Sequence, residues 1–553
     1  MTRPLTEWDT EPIIRDPDEE YRVLERSLRR VKGFGLYFVV CSPFESKQII
    51  TKMKATLPQK RTGILYLPEE IYNLYQIIEL IPDKDKLNIL FITGLEYSLN
   101  AYIKPGYGGE GNYYNLDSLP PLLGHLNLQR ERFRDTFNFC FVFLIPRFAH
   151  KFLIRRAPDF YDWSSGYFEF PMNAELLKTE VQSYQVEQDF EEYENLTPQE
   201  RYQKTLGIEA LLDEPELSPE TRANLLVEQG KLLLVSEDYE HSLKCFENAG
   251  TISPDNYKAV FYTGLVLSDL GRFEEALTKY DQLLTIKNDW NKAWNNRGIT
   301  LLELGQVEQA IKSYDQALAL KPDDHRARNN RAGALFELGR YEEAIADYDQ
   351  ALTIKPDKTL AFYGRSLALW RLGRLDEALA SIDQALILQP DDEQILNVRG
   401  AILGDLGRFE EALDCFDRAL VINPTGDSIL NNRAILLSNL GRTEEAIMNL
   451  DKALVLNPND DAAWNNRGIF LGTVEQLEES LFSFDKVIDL KPDNDAAWYN
   501  RAVTLWQLNR LEEALASYNQ AIALNPEEPL YQENKKELLS QIESSQAHKQ
   551  TAE

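Results

Sequence analysis

The sequence predicts a multidomain chain: an α/β three-layer unit with a mostly parallel sheet, then an all-α solenoid wound into a superhelix. Three observations predict it. Glycine recurs at 271, 305, 339, 373, 407 and 441, a step of 34 residues. Proline keeps that step from Pro322 to Pro526, and alanine from Ala276 to Ala446. Upstream of residue 172 the pattern changes, and short apolar runs alternate with stretches of helical spacing.

In chain order, Glu20–Arg30 reads as a helix. Apolar runs at Gly35–Cys41, Gly63–Leu67, Leu87–Thr93 and Phe139–Ile145 read as parallel strands. Glu45–Leu57, Glu69–Ile81 and Leu119–Phe133 read as the helices between them. Phe160, Trp163, Tyr167 and Phe168 are expected to pack as a terminal flap, and the glycine-rich Gly106–Gly111 as a loop. The expected division is 1–172 for the α/β unit, 173–222 for an acidic linker with one helix, 223–528 for nine repeats, 529–544 for a capping helix and 545–553 for a disordered tail. Thr197 caps the linker helix and Pro198 takes its first position.

The logic of one repeat is local. Asp323-Asp324, Asp357 and Asp391-Asp392 are placed to cap the first helix. Trp294, Gly298 and Leu301 share its inner stripe. Gly305 ends it in a left-handed conformation. Acids such as Glu342-Glu343 open the second helix at the positive end of its dipole. Ala310, Tyr314 and Ala317 face inward, and Pro322 closes the unit. No pair buries its apolar face alone, so neighbours must stack.

The residues Trp294-Asn295-Asn296-Arg297-Gly298 through Leu301, Leu304-Gly305, Glu308 and Ala310, at a period of 34, resemble the tetratricopeptide repeat, bacterial type. The resemblance implies that the first helix of each pair lines a concave groove that takes a protein or peptide. Two neighbouring columns on that helix are asparagine: Asn295, Asn329, Asn397, Asn431 and Asn465, then Asn296, Asn330, Asn432, Asn466 and Asn500. Gly364 and Val398 interrupt the second column. Asparagine is a mediocre helix former, so its recurrence needs a reason. Two stand side by side. The amides grip a peptide backbone about every third residue, given roughly 8–10 Å between helices and ~3.3 Å per extended residue. Or they hydrogen-bond neighbouring helices. The first resembles the asparagine ladder in the superhelix of O-GlcNAc transferase. Trp370 and Trp506 fall where a groove admits an aromatic anchor or where an edge packs. The column Arg297, Arg331, Arg433, Arg467 and Arg501 is expected to neutralise the acidic second helices. Lys292 and Arg326 alone do not rebuild a lysine clamp for a terminal carboxylate.

The front unit resembles a P-loop NTPase core. Asn88–Glu96 looks like a Walker B strand ending in an acid, and Asn127–Arg132 with Phe141–Pro146 and Ala157–Phe160 looks like the helix, strand and aromatic tail of such modules. The turn Cys41-Ser42-Pro43-Phe44-Glu45-Ser46-Lys47-Gln48 departs from the pattern. It lacks glycine, Pro43 removes an N–H donor, and Glu45 puts negative charge where phosphate would lie. Lys47 and Glu96 are therefore vestigial candidates only. The expectation is no enzyme, no catalytic residue, no cofactor and no metal.

Residues 1–172 balance 22 basic against 22 acidic residues, so the whole net charge of −30 lies downstream. That argues against nucleic acid or an anionic membrane as partner. Met1–Glu20 is polar and acidic, which is unlike a signal peptide, and no 18-residue apolar span occurs. Cys41, Cys140, Cys245 and Cys415 lack paired spacing and read as free thiols of a cytoplasmic protein. The functional expectation is a scaffold or adaptor that binds protein or peptide. The alternative is an NTP-dependent signalling switch with the repeats as sensor.

Overall fold

The computed structural model describes residues 16–99, 120–170, 174–185, 190–214 and 217–552. The glycine-rich stretch Gly106–Gly111 lies outside them. The front elements are α1 (Pro17–Arg30), β1 (Gly35–Val40), α2 (Pro43–Thr56), β2 (Thr62–Tyr66), α3 (Leu74–Glu79), β3 (Ile89–Thr93), α4 (Pro121–Thr136), β4 (Cys140–Ile145), α5 (Arg147–Arg156), α6 (Pro158–Tyr161) and β5 (Gly166–Glu169). The five strands form one parallel sheet in the order β2-β3-β4-β1-β5. Every residue of β1 and β4 is buried, as central strands covered on both faces must be. Alternate residues serve opposite faces. Leu36, Phe38, Phe141 and Phe143 join a core with Leu123 and Leu126 of α4 and Ala149 of α5. Tyr37, Val39, Val142 and Leu144 join another with Leu24 and Leu28 of α1 and Ile49 and Met53 of α2.

Strand β5 corrects the sequence reading, which ended the sheet at four strands. Gly166–Glu169 pairs in parallel with β1, Tyr37↔Gly166 to Val40↔Glu169. Only four residues long, it carries too little alternation to announce itself. Its Phe168 is buried in the α1–α2 core and Phe160 in the opposite one, so these aromatics are core rather than flap.

The described residues of the acidic stretch carry three helices where one was expected: α7 (Ala174–Gln185), α8 (Phe190–Glu194) and α9 (Pro198–Leu212). Thr197 and Glu200 cap α9 reciprocally, with Pro198 at its start. Leu206 and Ala210 pack into the sheet's core, while Ile208, Leu211 and Leu212 pack with the first repeat helices. Amphipathic on both sides, α9 shows no single apolar stripe, and that hid its burial in the sequence.

Nine consecutive helix pairs follow among the described residues: α10 (Pro219–Val235) and α11 (Tyr239–Ile252), α12 (Tyr257–Asp269) and α13 (Phe273–Ile286), α14 (Asn291–Glu303) and α15 (Val307–Leu320), α16 (His325–Glu337) and α17 (Tyr341–Ile354), α18 (Thr359–Arg371) and α19 (Leu375–Leu388), α20 (Glu393–Asp405) and α21 (Phe409–Ile422), α22 (Asp427–Asn439) and α23 (Thr443–Leu456), α24 (Asp461–Thr473) and α25 (Leu477–Leu490), α26 (Asp495–Gln507) and α27 (Leu511–Leu524). A last helix, α28 (Pro529–Ala552), runs on through the tail expected to be disordered. By its internal contacts the chain divides into two compact units, 1–305 and 306–553, so this division falls inside the repeats. No helix among the described residues is long and apolar enough to cross a membrane.

Within a pair, an aromatic of the second helix sits on a small residue of the first. An added Cβ at Gly264, Gly400 or Gly468 would meet Tyr280, Phe416 or Phe484 at 2.9, 2.8 and 2.8 Å. Asp324 and Asp392 cap α16 and α20, accepting from the N–H groups of Arg326 and Ala327, and of Gln394 and Ile395. Asp357 does not cap α18. Lys358 takes that position and makes no side-chain cap, because the run is one acid shorter there.

Candidate functional site

The asparagine columns are half-buried on the first helices of the pairs. The structure joins them in a register of 35 residues, one more than the repeat. Asn432 Nδ2 donates to Asn397 Oδ1 at 3.0 Å, Asn466 Nδ2 to Asn431 Oδ1 at 3.0 Å, and Asn500 Nδ2 to Asn465 Oδ1 at 3.4 Å. Each rung therefore ties one first helix to the next. The last rung changes chemistry: Asn534 Nδ2 of α28 donates to the Tyr499 hydroxyl at 2.7 Å. In the first compact unit, Asn295 Nδ2 donates to Asn296 Oδ1 of the same helix at 3.2 Å.

The gap in the ladder has a physical consequence. Asn329 would take its donor from position 364, and Gly364 has none. Asn329 Oδ1 is buried without a hydrogen-bond partner. Glycine is required at 364 because an added Cβ would collide with the Tyr348 hydroxyl. Asn330 lies beside Asn329 on α16, also half-buried.

Trp370 and Trp506 are half-buried ties of the same register. Trp370 Nε1 donates to Asp405 Oδ2 at 2.7 Å, and Trp506 Nε1 to Gln541 Oε1 at 2.6 Å. Their indole N–H groups are thus committed to the next element. Trp294, Trp464 and Trp498 instead donate to the carbonyls of Asn288, Pro458 and Pro492, bracing the turn before their own helix.

The arginine column is a row of stitches, as its charge led one to expect. Arg297, Arg331, Arg433, Arg467 and Arg501 each pair with an aspartate 16 residues earlier, Asp281, Asp315, Asp417, Asp451 and Asp485, at 2.6–2.9 Å. In the second unit the same guanidinium also reaches its own pair's second helix, at Asp347, Asn449, Ser483 or Ser517. One planar fork with several donors can serve two helices at once.

In the α/β unit the turn after β1 is closed to phosphate. Ser42 accepts from the Glu45 N–H at 3.1 Å, and Glu45 Oε2 accepts from the Ser42 N–H at 3.1 Å. Of the amides there, that of Glu45 is met by the Ser42 hydroxyl and that of Ser42 by the Glu45 carboxylate, which puts negative charge where a bound anion would have to sit. Lys47 is exposed on α2. Glu96, just past β3, is buried; burial pushes its carboxyl up from 4.5 to about 7, which the N–H groups of Glu96 and Gly94 only partly offset. The cavity that Glu96 lines does not include Lys47.

Sequence reasoning missed the 35-residue register. The signal was present: Gly364 and Val398 interrupt the second column, and the gap at 364 orphans Asn329, one repeat earlier in the first column. All four cysteines are free and buried.

Family models of the tetratricopeptide repeat match residues 227–292, 295–359 and 363–427, and further ones match 415–448 and 496–528. Tetratricopeptide repeats are present in this chain. No curated protein matches it. Among solved structures, a tetratricopeptide repeat protein from Parabacteroides merdae is similar at 19% identity and TM-score 0.38, over 45% of this chain and 98% of that one. PilF of Pseudomonas aeruginosa is similar at 19% identity and TM-score 0.35, over 39% and 100%. YrrB, described as a TPR protein with an unusual peptide-binding site, is similar at 26% identity and TM-score 0.29, over 34% and 97%.

Proposed function

We propose that this chain is a cytoplasmic interaction scaffold whose repeats hold a protein or an extended peptide along their first helices. Tetratricopeptide repeat proteins are generally such scaffolds. What carries the reading for this chain is the row of half-buried amide rungs at 397/432, 431/466 and 465/500. A rung spends one donor of one amide and one acceptor of the other, and each amide has capacity for more. A peptide group offers the complementary donor and acceptor. Because the rungs fix the amides' orientation, little side-chain freedom is lost when a peptide binds.

The test is a peptide array probed with the full chain, followed by titration of the best binder. Replacing Asn432, Asn466 and Asn500 together by alanine should weaken that binder at least tenfold, the equivalent of about 1.4 kcal/mol. Equal affinity in a variant that remains helical would remove the amides from the binding face.

The rival is a nucleotide-driven switch in the α/β unit. It draws support from the buried acid Glu96 at the end of a central strand, and it is opposed by the self-capped turn at Ser42 and Glu45. Calorimetric titration of the full chain with magnesium and ATP decides between them: the scaffold reading expects neither saturable heat nor turnover.

A further inference from the structure

A cavity of about 280 Å³ opens at the carboxyl ends of β1, β3 and β4, where Ser42, Glu96 and Pro146 line it. Helices α7 and α9 form its other wall. The chain leaves β1 toward the β2 side of the sheet and leaves β4 toward β5, so the direction of travel reverses between β1 and β4. In open α/β sheets a crevice at such a point is where ligands bind. Phe44, Phe148 and Leu206 supply an apolar wall.

The polar side of the cavity is incomplete in one place. Glu96 is only 6% exposed, and its Oε2 is buried with no hydrogen-bond partner. Two hydroxyls at the cavity are engaged elsewhere. The Tyr97 hydroxyl donates to Gln203 Oε1 at 2.6 Å, and the Ser42 hydroxyl lies 3.2 Å from Glu45 Oε2. Lys204 lies over the Tyr193 ring, with its Nζ 5.6 Å from the centroid. A buried carboxyl oxygen without a donor is destabilising, and it is met when a ligand brings the N–H. Glu180 lines the same cavity, so carboxylates outnumber the single lysine there. Anions, phosphates included, are repelled by that balance.

We propose that this crevice binds a small organic cation, a primary amine or amidine with an apolar body, whose N–H donates to Glu96 Oε2. The volume suits a compact metabolite rather than a nucleotide. The α/β unit is then a small-molecule site, separate from the function proposed for the repeats.

The full chain is titrated calorimetrically with benzylamine, benzamidine, benzyl alcohol, benzoate and magnesium-ATP. At least one of the two cations should saturate the site, at least tenfold tighter than benzyl alcohol, and benzoate should show no binding. Glu96→Gln should weaken the cation at least tenfold while keeping or raising the melting temperature, since it removes a buried charge. Ala210→Phe, which fills the cavity, should abolish binding in a chain whose helical signal is unchanged. The proposal is overturned if neither cation saturates below about 10 mM, if benzoate or ATP binds as well, or if Glu96→Gln leaves the affinity as it was.

Discussion

At the scale of single residues, hydrogen-bond arithmetic decides most of what can be tested. Asn432→Ala leaves Asn397 Oδ1 without its donor and should cost about 1 kcal/mol, read from a shift of the urea midpoint. The reverse repair fails at the gap. Gly364→Asn would supply the donor that Asn329 lacks, but the added side chain collides with the Tyr348 hydroxyl. That variant should therefore be destabilised by about 1–3 kcal/mol in the same measurement. Glu96 gives a pH signature. Its folded carboxyl is raised from 4.5 to about 7, so between those values the folded state holds more proton than the unfolded one. Stability is thus lost as pH rises through that window. Glu96→Gln should match wild type near pH 4 and exceed it above pH 7 by roughly 1–3 kcal/mol. Glu209, raised by burial in the same direction, contributes equally to both proteins and cancels. Of the site, the identity of the columns was legible in the sequence. Their pairing was not, because a 35-residue register depends on how one helix is rotated against the next.

At the scale of elements, each pair is closed by a turn, and from α14 onward the first helices add an arginine stitch. The turn needs a left-handed residue. Six repeats use glycine, with φ between +70° and +74° from Gly271 to Gly441, but Glu237, Glu475 and Asn509 hold the same place at φ +60° to +61°. An L side chain there is strained by about 1–2 kcal/mol, part of which glycine's greater freedom in the unfolded chain offsets. Glu475→Gly should then stabilise by about 0.5–1 kcal/mol in thermal or urea melts. The stitch is strongest at Arg331, which holds the buried Asp347 through two donors at 2.7 Å. Arg331→Ala strips a buried carboxylate of its main partner and should cost about 3 kcal/mol. Arg433→Ala, whose corresponding partner is the neutral Asn449, should cost distinctly less. The glycine punctuation announced the helix ends from sequence alone. The survival of the turn at Glu475 did not follow from it, because stacking of the neighbouring helices imposes the backbone conformation there.

At the scale of the whole molecule, charge is the property that composition reports directly. The net −30 lies entirely outside residues 1–172, and the acids of the second helices are largely committed to arginine stitches and to Arg–Glu pairs such as Arg340–Glu343 and Arg408–Glu411. Surplus acid remains, so the full chain should not retard duplex DNA on a native gel at 150 mM salt, where about one Debye length of 8 Å separates surface charges from screening. Retardation would show a basic face that the linear count conceals.

By itself the sequence determined the helix pairs, their period, some of their caps and the apolar central strands, because each of these depends on residues within one turn or one strand of each other. Only the tertiary structure decided that the asparagines pair with one another, that α7 and α8 join the expected helix of the acidic stretch, that a fifth strand completes the sheet, and that Glu96 lines a cavity without a donor. Those outcomes depend on which residues far apart in the chain become neighbours, and burial and hydrogen-bond satisfaction settle that only once the elements are packed.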